Sequence, residues 1–170
     1  TAEMVSIAEN VRPQHVCLVP EKREELTTEG GLDVIAQHDK ISAICQQLQS
    51  IGIEVSLFID ADQQQCEAAV SCGAAAIELH TGHFANAETE VQRQHYLNLL
   101  QRAAHYADDK GLIVNAGHGL HYHNSKPIAA IPQFQVLIIG HAIVSHAVWV
   151  GLANAIKEMK QLLFEARVLS

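Results

Sequence analysis

Short apolar runs rich in β-branched residues alternate with longer amphipathic stretches along this chain. The runs fall at residues 15–19, 53–59, 75–79, 112–115 and 135–139, and each reads as a strand. After the first, Ile41, Ile44, Cys45 and Leu48 recur at helical spacing and form one apolar face. Asp62 is placed to cap a short helix ending near residues 71–73. Residues 88–108 read as a long amphipathic helix with Val91, Leu97, Leu100 and Ala104 toward the core. A last helix covers about 151–167, with Leu152, Ile156, Met159 and Leu163 on one face. The chain also opens, at Thr1-Ala2-Glu3-Met4, in a helix-like pattern.

Strands that alternate with helices through short connections predict parallel βαβ units in an α/β fold. Two architectures fit: an open doubly wound sheet, or part of a (β/α)8 TIM barrel. The polar residues decide between them. Each run delivers reactive groups at its carboxyl end: Pro20-Glu21-Lys22-Arg23, Asp60, Glu78 with His80, His118, and Gly140-His141. A barrel gathers every strand end around one mouth, whereas an open sheet concentrates its ligand at one switch point. The barrel is the expected fold. Five strands do not close an eight-stranded barrel, so about three further units are expected upstream of Thr1.

Composition narrows the function. The 170 residues suit one domain, 1–170, and 48% of them are apolar. No unbroken apolar stretch reaches membrane-spanning length, and the start carries no basic-then-apolar leader, so a cytoplasmic protein is expected. A net charge of −8 argues against nucleic acid or an anionic membrane as a partner. It leaves small phosphorylated substrates open, because a local cluster of amides outweighs distant charge screened over about 8 Å. Cys17, Cys45, Cys66 and Cys72 lack any Cys-x-x-Cys spacing and read as reduced core thiols.

Candidate chemistry follows from the strand ends. Val114-Asn115-Ala116-Gly117-His118-Gly119-Leu120 ends an apolar run in a histidine held between two glycines. That histidine is either a proton-exchanging group or a turn residue that caps a neighbour. In Ile77-Glu78-Leu79-His80, alternation puts Glu78 and His80 on the face opposite Ile77 and Leu79. A buried Glu78 would have its pKa raised toward useful acid/base values, unless a rim cation pairs with it. Gly140 before a short helix amino terminus reads as a phosphate cup made of backbone amides, with a plain tight turn as the alternative. Residues 20–31, with Thr27-Thr28-Glu29-Gly30-Gly31, form a long polar loop suited to a lid. His118, His121 and His123 lack a partner cysteine or carboxylate at zinc-site spacing, so no metal is expected. His38, His95 and His105 fall on helices and read as surface or capping residues.

Taken together, several of these segments resemble one family. They are Leu18-Val19-Pro20-Glu21-Lys22-Arg23, Thr27-Thr28-Glu29-Gly30-Gly31-Leu32-Asp33, Val55-Ser56-Leu57-Phe58-Ile59-Asp60, Ile77-Glu78-Leu79-His80-Thr81-Gly82 and residues 114–120. Tyr122-His123-Asn124, Ile139-Gly140-His141-Ala142 and Glu165-Ala166-Arg167 extend the match over nearly the whole chain. The pattern resembles the pyridoxine 5′-phosphate synthase family of vitamin B6 biosynthesis. The resemblance implies a TIM barrel, assembled as a homo-octamer, to which this chain supplies about strands 4–8 and the helices from the third onward. The implied reaction condenses 3-amino-2-oxopropyl phosphate with 1-deoxy-D-xylulose 5-phosphate, giving pyridoxine 5′-phosphate, inorganic phosphate and water without a metal or organic cofactor.

By the same resemblance, His118 matches the family's proton donor and Glu78 an acid lining the site. Thr27 matches a substrate contact, and Gly119, Gly140 and His141 match substrate- or phosphate-binding positions. The family's amino-terminal third, with an Asn-x-Asp-His segment, a His-x-Arg base and an Asn-x-Glu base, has no counterpart here. As a whole polypeptide the chain is therefore expected neither to close a barrel nor to turn over. As part of a longer one it is expected to serve the synthase. The competing readings are a barrel lyase or isomerase acting on one sugar phosphate, and a catalytically dead fragment.

Overall fold

In the computed structural model, residues 1–21 and 30–168 are described. They contain five strands: β1 (His15–Leu18), β2 (Glu54–Ile59), β3 (Ala76–His80), β4 (Ile113–Gly117) and β5 (Phe134–Ile138). All four pairings are parallel, and the spatial order is β1-β2-β3-β4-β5. Each crossover lands on the next strand in sequence. A doubly wound sheet instead reverses its order at the switch point, so the β1-to-β5 order lacks the feature that defines that alternative.

The helices among the described residues are α1 (Ala2–Val11), α2 (His38–Gln49), α3 (Gln63–Ser71), α4 (Gly82–Ala85), α5 (Glu90–Asp109), α6 (Ser125–Ala129), α7 (His141–Val150) and α8 (Leu152–Val168). Local sequence explains where several of them start. Asp62 caps α3, its carboxylate accepting from the N–H groups of Gln64 and Gln65 at 2.8 and 3.0 Å. Thr89 and Gln92 close a capping box at the head of α5. The helix expected after Gly140 is ten residues long rather than short.

Strand alternation builds the core. Val55, Leu57 and Ile59 of β2 and Ile77 and Leu79 of β3 are fully buried on one face. They pack with Ile41, Cys45 and Leu48 of α2 and with Leu100 and Ala104 of α5. Each Val, Leu or Ile among them contributes about 1.5–3 kcal/mol on burial. Ser56, Phe58, Glu78 and His80 occupy the other face, where exposure is intermediate.

Two expectations about packing fail, those for Val91 and Cys17, each for a physical reason. Val91 is 82% exposed. At about 100° per residue, the nine positions from Val91 to Leu100 place the two on opposite sides of α5. On α8 only Ala155 and Met159 are buried, while Leu152 and Ile156 are exposed. That helix packs on α6 and α7 next to the edge strand β5, so much of its apolar face has no sheet beneath it. Cys45, Cys66 and Cys72 are buried as expected, but Cys17 is exposed. β1 turns Val16 and Leu18 toward the helices, which leaves Cys17 on the opposite face.

Candidate active site

Register brings the polar face of the sheet into one row. Phe58 pairs with Glu78, Glu78 with Asn115, His80 with Gly117, and Gly117 with Ile138. At the carboxyl end of this row lies a cavity of about 830 Å³ lined in part by Glu78, His118, Gly119, His121, Gly140 and His141. Five of the six site residues named from the sequence therefore share one cavity. The sixth, Thr27, and most of the expected lid at 20–31 fall at residues 22–29, outside the described residues.

His118 sits in the left-handed region at φ 84°. That conformation costs a residue with a Cβ roughly 1–2 kcal/mol, so the surroundings must hold it. Thr81, fully buried, does so. Its N–H donates to the Gly117 carbonyl at 2.8 Å, and its hydroxyl lies 2.8 Å from that oxygen and 2.6 Å from the His118 carbonyl. Asn124 braces the other end of the turn. Its side-chain carbonyl accepts from the His121 N–H at 2.7 Å, and its amide donates to the Gly119 carbonyl at 3.1 Å. Gly119 itself has φ 77°, and a Cβ there would press on Ala85. A strained histidine held by flanking contacts is a recognised mark of a functional position.

Glu78 and His118 have their proton affinities moved toward each other. Burial raises the Glu78 carboxyl, against smaller opposite effects from the Cys17 thiol and from His80. Burial lowers His118, and repulsion from His80 adds to it. The result is an acid that keeps its proton longer and an imidazole that releases its proton sooner, a pair suited to proton transfer. The Cys17 thiol lies 3.7 Å from Glu78 Oε2. Although the residue as a whole is exposed, crowding of its thiol away from water, and then the Glu78 charge, push Cys17 up to about 12, so it remains a protonated donor. Gly117 leaves the space Glu78 needs, since a Cβ there would overlap its carboxylate.

The element whose geometry suits an anion is α7. Gly140 is its N-cap and makes no side-chain cap, so the first-turn amides and the helix dipole are turned toward the cavity edge. A Cβ at Gly140 would meet nothing within 4 Å, and its φ of −108° suits any residue. The glycine is therefore required neither by a tight turn nor by crowding. It leaves open space beside the amides, as a bound anion would need. Among the described residues, no three His, Cys, Asp or Glu side chains are grouped to hold a metal ion.

Sequence reasoning missed Thr81, Asn124 and Cys17. Asn124 had a local signal, because an asparagine five residues past a glycine-rich turn can tie its backbone through the side-chain amide. Thr81 had none, because its hydroxyl serves a loop 36 residues away.

Comparison with known proteins adds the following. A family model described as pyridoxal phosphate biosynthesis protein PdxJ matches residues 1–165. A pyridoxine 5′-phosphate synthase of Photobacterium profundum is 58% identical over 167 residues, covering 98% of this chain and 69% of that protein. One from Coxiella burnetii is 54% identical over 168 residues, covering 98% of this chain and 70% of that protein. Among solved structures, the Amycolatopsis orientalis BexX/CysO complex matches with a TM-score of 0.66 at 13% identity. That match covers 99% of this chain and 60% of the solved one, and supports a likeness of fold alone.

Proposed function

This chain belongs to the PdxJ family of pyridoxal phosphate biosynthesis proteins, and we propose from that premise how its residues serve the synthase reaction. The reaction is that of a pyridoxine 5′-phosphate synthase: 3-amino-2-oxopropyl phosphate and 1-deoxy-D-xylulose 5-phosphate condense, the pyridine ring closes, and phosphate and water leave. The carrying observation is identity of 54–58% to such synthases over 98% of the chain.

Imine formation, elimination and ring closure each move protons beside anchored phosphates. His118 donates a proton, and its lowered affinity makes the donation easier. Glu78, kept protonated longer by burial, faces the same space and supports the charge that changes there. Gly119 and the Gly140–His141 step at the head of α7 hold one substrate phosphate through backbone amides. Thr27 contacts substrate. The reading calls for no metal and no organic cofactor.

The architecture that goes with this reading is a (β/α)8 barrel, with 1–170 as one domain supplying about strands 4–8. The unreversed strand order supports it. The closing strands and the further bases belong to the part of the family for which these residues have no counterpart. A cytoplasmic homo-octamer completes the proposal. No helix among the described residues is long and apolar enough to cross a membrane.

The test is to incubate the intact protein with both phosphorylated substrates and follow the pyridine product and released phosphate. Product that requires both substrates is expected. A folded, intact protein that makes none would overturn the reading, and conversion of one sugar phosphate alone would favour a lyase or isomerase instead.

A further inference from the structure

Behind His118 lies a second layer of side chains to which the proposed reaction gives no role. His80 ends β3, and its ring centroid is 4.8 Å from that of His118, edge to face. Its Nδ1 is 3.2 Å from Asp60 Oδ1, and the two side chains are only 10% and 9% exposed. Asp60 is fixed in turn, since each of its carboxylate oxygens lies 3.2 Å from the Gly31 N–H. The backbone around the ring is bare. A Cβ at Gly82 would come 2.5 Å from His80 Nε2 and 3.1 Å from His118 Cδ2, and one at Gly30 would come 3.1 Å from His80 Cε1. A buried carboxylate, glycines on two sides and His118 on a third all converge on one imidazole.

We propose that Asp60 and His80 are a positioning pair for His118: the carboxylate fixes the His80 imidazole, and that ring holds His118 in the orientation and at the charge that proton donation requires. Asp60 accepts from Nδ1–H and so selects one tautomer, which leaves Nε2 on the side of Gly82 and His118. Any positive charge on His80 then opposes a second one on His118, which reinforces the larger effect of burial. His80 acts through His118 and is not itself a catalytic residue. The inference rests on the synthase reading only for the use to which the His118 proton is put.

Other titratable groups are Glu78 on β3, His121 after β4 and His141 at the start of α7, which share the cavity with His118, and His83 on α4, which meets the His80 ring. The variants that test the pair leave all of them in place. In His80→Gln and His80→Phe, the His118 imidazole should titrate at higher pH than in the unaltered protein, read by nitrogen-detected NMR of the ring. The second variant keeps an aromatic contact with His118 and covers failure of the first to fold. In Asp60→Asn, whose amide offers either a donor or an acceptor, the His80 signals should change from the Nδ1–H tautomer to a mixture. In the two-substrate assay, the His80 variants should lower kcat about tenfold or more while KM stays within about threefold.

The NMR readout needs no turnover, so failure of the synthase reading would not be mistaken for failure of this one. An unmoved His118 titration in a folded His80 variant would overturn the proposal, as would an unchanged His80 tautomer in Asp60→Asn. Loss of fold in both His80 variants would also overturn it, by making the pair a structural prop.

Discussion

The middle of the sheet and its two edges use similar residues and end in opposite states. In β2, β3 and β4, Val55, Leu57, Ile59, Ile77, Leu79, Val114 and Ala116 are all fully buried. The opposite face of the same strands carries Glu78, His80 and the glycine that gives way to Glu78. At the edges, Val19 beyond β1 is 52% exposed and Val136 on β5 is 53% exposed. The ten residues of α7 include none that is buried, and Trp149 is 85% exposed. Chemistry is placed where neighbouring strands already fix the backbone, and apolar surface remains where a sheet lacks its next strand. Both edges are where the closing strands of the proposed barrel would lie, which gives the uncovered surface a physical use.

The comparison breaks if substitutions at the centre cost no more than those at the edge. The largest effect is expected from Gly31→Ala. A Cβ there would come 2.5 Å from the Asp60 backbone nitrogen and 2.8 Å from the Ile59 carbonyl carbon. Backbone cannot yield as a side-chain tip does, so a loss of about 3 kcal/mol is expected, read as a lower urea midpoint with an unchanged slope. Thr81→Val keeps the shape and removes the hydroxyl from the Gly117 and His118 carbonyls. That should cost about 2 kcal/mol in the same measurement.

A smaller and pH-dependent effect belongs to Glu78→Gln. The folded state raises the Glu78 pKa above 4.5. Below 4.5 both states hold the proton, and as pH rises the unfolded chain releases it first, so stability falls up to the folded value. His118, lowered from 6.5, slopes the other way: stability falls as pH drops below 6.5 and the unfolded chain takes up its proton first. Glu78→Gln removes only the first slope. The variant should be more stable than the unaltered protein near neutrality and equal to it in acid below 4.5, as thermal midpoints across pH would report. An advantage confined to acid would reverse the assignment. The smallest effect is expected from Trp149→Ser, a change within about 0.5 kcal/mol. If it costs as much as Thr81→Val, the edge is not the unsupported surface described.

How much of this was legible in the chain depends on the range of the interaction. All five strands appear within two residues of where the apolar runs place them, because burial on the helix-facing side demands period-two alternation. The same alternation put Glu78 and His80 on one face, and the Asp62 cap follows from a rule three residues long. Long-range facts were not legible. Leu152 and Ile156 have a sound helical pattern, yet they are exposed because α8 packs on α6 and α7 beside the last strand of the order. Cys17 reads as a core thiol in an apolar run, and only its place on the edge strand turns it toward Glu78. The support of His118 by Thr81 crosses between two loops, which no local pattern encodes.

The most direct test is turnover by His118→Asn in the intact protein with both substrates. Asparagine tolerates the left-handed conformation at this position better than most residues, so the fold should survive and the proton donor alone should be lost. The expected result is a fall in kcat of about a hundredfold or more, with the circular dichroism spectrum unchanged. A folded variant that turns over at close to the unaltered rate would contradict the assignment of His118 as the proton donor of this site.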